Sequence, residues 1–318
     1  MTTPNLIRIG TRRSQLALWQ TFRVRDLLLA NYPDLTIELV HMTTKGDRIL
    51  DKPLPEIGGK GLFTLELENA LVSGEIDLAV HSLKDLPTEM AEPFTLGAIL
   101  PRANPFDALV SREKYTLATL PHGATVGTSS LRRRAQLRAF RPDLKLENLR
   151  GNVDTRVAKA YDPAGPYAAI VLAVAGLQRL DRGDEISEII DADVMLPAPG
   201  QGAVAVQCRV DDQRILELLA ALDDRATHSA VTAERAFLQQ LEAGCRLPVS
   251  AYATLDDATG RVITMTGRVS GLDGTRAITV QGEDRVTNAA ALGVRLAEDA
   301  LAQGADALLA EIRGDLPA

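Results

Sequence analysis

The sequence predicts an α/β protein with two sister βα lobes, followed by a smaller α+β domain with an antiparallel sheet. Three observations predict it. The first 85 residues read strand, helix, strand, helix, strand, the order that builds a parallel sheet. The same order recurs from residue 124. Beyond about residue 220 the strands follow one another through Gly/Asp turns, as antiparallel strands do.

In the first lobe Leu6–Ile9 is a strand ending at Gly10-Thr11, and Ser14 caps the helix that follows. Leu18, Phe22 and Leu29 share one face of that helix, and Pro33 stops it. Leu35, Ile37 and Leu39 alternate as the next strand. The stretch Thr43–Gly61, rich in Gly and Pro, has the length of a functional lid or of a disordered segment. A helix over Phe63–Val72 ends at Gly74, and the strand Ile76–Val80 carries His81-Ser82-Leu83-Lys84-Asp85 at its carboxyl end.

The second lobe repeats the plan. Strand Ala124–Val126 runs into Gly127-Thr128, and Ser129 or Ser130 caps a helix that ends at Pro142. Leu144–Leu149, Asn152–Tyr161 and Ala168–Ala173 supply a strand, a helix and an apolar strand. Leu196–Gly202 breaks regular structure and returns the chain to the first lobe as the strand Ala203–Cys208. The third region holds a helix (Thr227–Glu242), strands near Val249–Leu255, Arg261–Ser270 and Thr275–Gln281, and a helix over Thr287–Leu301. The expected division is 1–100 with 198–220, then 101–197, then 221–318.

Composition narrows the function. The chain has 318 residues and a net charge of −7, with aromatics at 4%, which disfavours base-stacking surfaces. Two cysteines are too few for a disulfide scaffold or a cysteine metal site, and the four scattered histidines suggest no metal. The longest apolar run is too short to span a bilayer, and the N-terminus does not read as a secretory signal, so a cytoplasmic protein is expected. Arginine dominates the basic residues, 28 against 7 lysines. Thr128–Arg156 holds seven Arg and one Lys against three acids, net +5, leaving −12 elsewhere. Such an island is the mark of a localised anion site rather than a duplex-binding face.

Helix starts favour anions, and guanidinium forks added there make a carboxylate or phosphate site. Arg132, Arg133, Arg150 and Arg156 occupy helix starts and strand ends, whereas Arg134, Arg138 and Arg141 read as a solvated helix face. Asp85, at a strand's carboxyl end, is either a general acid/base or cation stabiliser, or an ordinary turn residue. Cys245, after a helix and before Arg246, is a nucleophile, an attachment point or a buried small residue. Cys208 in an apolar strand reads as inert core, and His81 as structural.

Taken in order, Ile9-Gly10-Thr11-Arg12 with Ser14, Leu16–Gln20, Gly58-Gly59-Lys60-Gly61-Leu62-Phe63, His81–Pro87, Val126–Arg133, Leu149–Val153 and Pro199–Ala203 resemble the porphobilinogen deaminase (hydroxymethylbilane synthase) family over nearly the whole chain. The resemblance implies lobes like those of periplasmic binding proteins. It implies a monomeric cytoplasmic transferase that joins four porphobilinogen molecules, with release of ammonia, into hydroxymethylbilane. It also implies a covalent dipyrromethane primer held by a thioether to Cys245, and Asp85 as catalytic carboxylate. The acetate- and propionate-binding set implied is Arg12, Ser14, Ser82, Lys84, Thr128, Ser130, Arg132, Arg133, Arg150, Arg156 and Arg179, with Lys60 in the lid. Around the tether this chain reads Ala243-Gly244-Cys245-Arg246 where the family pattern is Gly-Gly-Cys-Gln. The rival readings are a non-catalytic binder of a small polyanion and an Arg-mediated nucleic-acid binder. Covalent mass on Cys245 separates the first, and salt-dependent affinity for DNA or RNA the second.

Overall fold

The structure, a computed structural model, describes residues 5–44, 46, 64–241, 247–256 and 259–315. It divides into two compact units. One holds the described residues through Ala103 together with 203–228, and the other holds 104–202 and the described residues from Ser229.

The chain begins with β1 (Leu6–Arg12), α1 (Gln15–Asn31), β2 (Thr36–Met42), α2 (Leu65–Ser73), β3 (Leu78–Ser82) and β4 (Phe94–Ile99). It enters the second unit with β5 (Asp107–Val110), β6 (Thr125–Gly127), α3 (Leu131–Phe140), β7 (Lys145–Glu147), α4 (Val153–Tyr161), β8 (Ala169–Ala173), α5 (Val174–Arg179) and β9 (Ile186–Ile190). It returns to the first as β10 (Val204–Arg209) and α6 (Gln213–Ala220). Then come α7 (Arg225–Gln240), β11 (Val249–Leu255), β12 (Val262–Ser270), β13 (Ala277–Arg285), α8 (Ala289–Ala302) and α9 (Ala305–Asp315).

The two five-stranded sheets share one plan, β2-β1-β3-β10-β4 and β7-β6-β8-β5-β9. Both are mixed rather than parallel, which corrects the sequence-based expectation. β10 runs antiparallel to β3 and β4, and β5 antiparallel to β8 and β9. Parallel neighbours need a crossover, usually helical. β5 and β10 each follow an irregular segment instead, and each enters its sheet in the fourth place in reverse. The third sheet, β11-β12-β13, is an antiparallel meander, as expected.

Local signals explain most boundaries. Gly74 ends α2 in the left-handed conformation (φ +72°), its N–H reaching the carbonyls of Ala70 and Leu71. Ser14, Ser130 and Asn152 cap α1, α3 and α4 through side-chain oxygens. The buried face of α1 differs from the one expected. Ala17, Thr21, Val24 and Leu28 are buried, while Phe22 is 38% exposed with Arg25 stacked 4.7 Å from its ring centroid. Thr21 faces inward because its hydroxyl donates to Ala17 O, which leaves the core face free of an unpaired polar group.

In the first unit Ile7, Ile9, Val24, Leu28, Leu78, Val80, Val204 and Val206 pack together with Cys208. Cys208 is fully buried and desolvation pushes its thiol up to about 11, so it is inert core as predicted. In the second unit Phe237 of α7 lies at the centre of the core between β11–β13 and α8 and α9. Glu234, buried one turn earlier, accepts the Gly200 N–H (2.7 Å) on Oε2 and the Ala253 N–H (2.9 Å) on Oε1. It ties α7 to the segment preceding β10 and to β11.

Candidate active site

The candidate residues fall in both units. In the first, Arg12 ends β1 and Ser82 ends β3. Lys84 and Asp85 lie on a 3-10 turn, Leu83–Asp85, anchored by the Leu83 N–H on Ala203 O (3.1 Å). The Asp85 side chain is exposed and Lys84 is half-buried. Ser14 accepts the Ala17 N–H at 3.3 Å, so its hydroxyl oxygen serves the helix as well as any ligand. Ser82 Oγ accepts from Nε2 of the buried Gln20 at 2.8 Å. His81 is buried against Gln207 (Nε2 to Oε1, 2.9 Å). Desolvation holds its pKa down at about 4; the Gln207 bond opposes this and the Arg12 charge adds to it. The ring is a neutral structural group at neutral pH, as the sequence suggested.

In the second unit the loop from β6 into α3 is braced internally. Thr128 donates its N–H to Glu147 O (2.8 Å), and its Oγ1 accepts the Ser130 N–H (3.3 Å). Ser130 Oγ accepts the Arg133 N–H (3.4 Å). Arg132 and Arg133 are 5% and 6% exposed, and both guanidinium groups meet one fully buried carboxylate, Asp107. Desolvation lowers the pKa of Arg132 and Arg133 repels its charge, while Asp107 opposes both. Arg156 donates through Nε to Gly151 O (2.8 Å), and Lys159 to Arg150 O (3.2 Å), so both fasten the loop that carries Arg150. Arg179, 8% exposed, donates to Gly202 O (2.6 Å), and burial brings its pKa down to about 10.

Arg138 and Arg141 are not the solvated face expected of them. Arg138 donates to Leu272 O (2.6 Å), and Arg141 pairs with Asp143 while reaching the carbonyls of Leu117 and Leu120. They tie α3 to its surroundings. Lys60, with nearly all of the Thr43–Gly61 stretch, and Cys245 lie outside the described residues.

Comparison with known proteins decides the family. The model described as "Porphobilinogen deaminase, dipyromethane cofactor binding domain" matches residues 7–217, and "Porphobilinogen deaminase, C-terminal domain" matches 228–302. The chain belongs to the porphobilinogen deaminase family. A porphobilinogen deaminase of Roseiflexus sp. (strain RS-1) is 52% identical over 302 residues, 95% of this chain and 98% of that one. One from Xanthomonas axonopodis pv. citri is 52% identical over 312 residues, 98% of this chain and 100% of that one. A solved nutrient binding protein from Burkholderia cenocepacia bound to methionine superposes with a TM-score of 0.42 and 14% identity, over 67% of this chain and 90% of its own.

As a porphobilinogen deaminase the chain is a transferase of tetrapyrrole biosynthesis, and dipyrromethane is its cofactor. The donor set of the second unit suits a polycarboxylate of that kind. Arg132, Arg133 and Arg179 are buried guanidinium groups, and the Thr128 and Ser130 hydroxyls lie just before Arg132 and Arg133 at the start of α3. Sequence reasoning missed Asp107 and Glu234 and gave no role to Gln20 and Gln201, which lie within motifs it used. For Asp107 a signal existed: an acid opening the apolar strand Ala108–Val110 needs a buried cation as partner.

Proposed function

We propose that the chain divides its labour among three parts, 1–100 with 198–220, 101–197 and 221–318, and that the residues matched to the family pattern act as follows. The reaction joins four porphobilinogen molecules head to tail. Each addition forms one carbon–carbon bond and breaks the aminomethyl carbon–nitrogen bond. Ammonia leaves, and the attacking ring loses its α-proton. Water finally releases hydroxymethylbilane.

When bound, dipyrromethane supplies the pyrrole α-carbon to which the first substrate ring is joined, and Cys245 is its thioether anchor. Asp85 is the catalytic carboxylate. Loss of ammonia leaves positive charge on the substrate's pyrrole, and a carboxylate held near the ring nitrogen stabilises that charge and assists proton transfer. The turn that carries Asp85 is fixed through Leu83 to Ala203, the residue before β10, and the Asp85 side chain is exposed to receive a ligand. Arg12, Ser14, Ser82 and Lys84 from the first unit, and Thr128, Ser130, Arg132, Arg133, Arg150, Arg156 and Arg179 from the second, bind the acetate and propionate groups. Guanidinium forks hold carboxylates bidentately and screen their mutual repulsion as the chain lengthens.

The placement of Asp85 on a braced turn at the carboxyl end of β3 supports this reading most directly, because ligands of α/β sheets bind beyond strand carboxyl ends. A cytoplasmic monomer without a nucleic-acid partner completes it. Among the described residues no helix is long and apolar enough to cross a membrane. The test is paired. Intact-mass measurement should find covalent excess mass on the parent protein, mapped to the Cys245 peptide and missing in Cys245→Ser. Asp85→Asn should fold and lose nearly all turnover. Near-normal product formation by Asp85→Asn would contradict the assignment.

A further inference from the structure

We propose that Asp107 is a positioning residue for this reaction: its buried carboxylate sets both the orientation and the net charge of the Arg132–Arg133 pair that receives carboxylates of the pyrrole chain. The proposal rests on the assignment of those two arginines to the carboxylate-binding set.

The topology puts Asp107 in the right place. β5 runs antiparallel to β8, so its first residue pairs with Ala173, the last residue of β8. Asp107 therefore stands at the carboxyl edge of the parallel strands, where ligands of such sheets bind. Four donors converge on it. Oδ1 accepts from Arg133 Nη2 (2.7 Å), Arg133 Nε (3.0 Å) and Gln201 Nε2 (3.0 Å), and Oδ2 accepts from Arg132 Nη2 (2.7 Å). Gln201 is itself fixed by Pro105 O at 2.7 Å.

Consecutive residues on a helix leave its axis about 100° apart, so Arg132 and Arg133 diverge unless something gathers them. Asp107 gathers both. The far side of each guanidinium is held by a carbonyl, Leu196 O for Arg132 (2.8 Å) and Val171 O for Arg133 (2.9 Å). Each plane is thus fixed at two points, and the donors left over face in set directions. Charge follows the same logic. Two buried cations with one buried anion carry a net +1, which one ligand carboxylate neutralises. Without Asp107 the pair repels itself in a poorly solvated place.

The experiment compares the parent with Asp107→Asn, Asp107→Glu and Arg133→Leu. It measures the thermal midpoint, the rate at which cofactor-free chain gains covalent mass when given porphobilinogen, and KM and kcat of the loaded enzyme. Removing the carboxylate charge that meets one donor of Arg132 and two of Arg133 should slow mass gain and raise KM by about tenfold or more in folded Asp107→Asn, with kcat changing less. Asp107→Glu keeps the charge and displaces the fork by about one methylene, ~1.5 Å, so it should shift KM and mass gain in the same direction. It decides the matter if Asp107→Asn does not fold. Folded Asp107 variants with parental KM and mass-gain rate, beside an impaired Arg133→Leu, would overturn the positioning role alone. An Arg133→Leu protein with parental values would instead remove the arginine pair from the site, and the proposal with it.

Discussion

His81 makes a quantitative demand on the first unit. Its imidazole is buried at the end of β3 and titrates at about 4 instead of the ordinary 6.5. In the unfolded chain the ring takes up a proton as the pH falls below 6.5, whereas the folded ring stays neutral until about 4. Between those values the unfolded state binds more protons, so stability is full above pH 6.5 and is lost progressively on acidification. At 1.36 kcal/mol for each tenfold difference in proton affinity, His81 alone removes about 3 kcal/mol between pH 7 and pH 4. Trp19, the single tryptophan, lies on α1 of the same unit and reports its unfolding in urea. His81→Gln keeps a polar partner for Gln207 and cannot titrate. The parent should therefore lose about 3 kcal/mol more than His81→Gln over that interval. Equal losses in the two proteins would show that the ring is not held neutral by its burial.

Other perturbations act on the second unit. Gly267→Ala would place a methyl group 2.5 Å from Cζ of Phe237 at the centre of the core, and overpacking of this kind costs about 1–3 kcal/mol in urea unfolding. Phe237→Leu added to Gly267→Ala should restore part of that loss, and an additive pair would contradict the close contact. Glu234→Gln leaves one acceptor oxygen for the two N–H groups of Gly200 and Ala253 and so orphans one of them, a destabilisation of about 1–3 kcal/mol that a parental unfolding midpoint would refute.

The sequence carried the elements whose causes are local. Gly74 had to end α2 because only a left-handed residue closes that turn cheaply, and its φ of +72° does so. Ser130 and Asn152 cap helices through bonds three residues along the chain, within reach of a local reading. β11 through β13 were legible because alternation and turns specify an antiparallel meander. The direction of β5 and β10 was not, since a strand of four or six residues carries no mark of which neighbours it will take. The face of α1 failed for a related reason. Counting apolar residues favours Leu18 and Phe22, but the fold buries Thr21, whose hydroxyl is satisfied within its own helix.

The polar residues that sequence reasoning missed or left without a role have one physical origin. Asp107 meets its arginines 25 and 26 residues away, Glu234 meets Gly200 across 34, and Gln20 meets Ser82 across 62. Each is a buried donor or acceptor whose cost is met only by a partner from another element. No window of sequence contains both halves of such a pair. Buried charge is nonetheless constrained in number. Arginines placed at helix starts by a sequence argument either face solvent, meet a ligand or require an internal anion, and the fold supplies Asp107 as that anion for two of them. Ligand binding as proposed for these arginines does not compete with that pairing, because a guanidinium offers five donors and Asp107 takes one from Arg132 and two from Arg133. An internal carboxylate that leaves donors over is what a binding arginine needs if it is to hold its geometry before the ligand arrives.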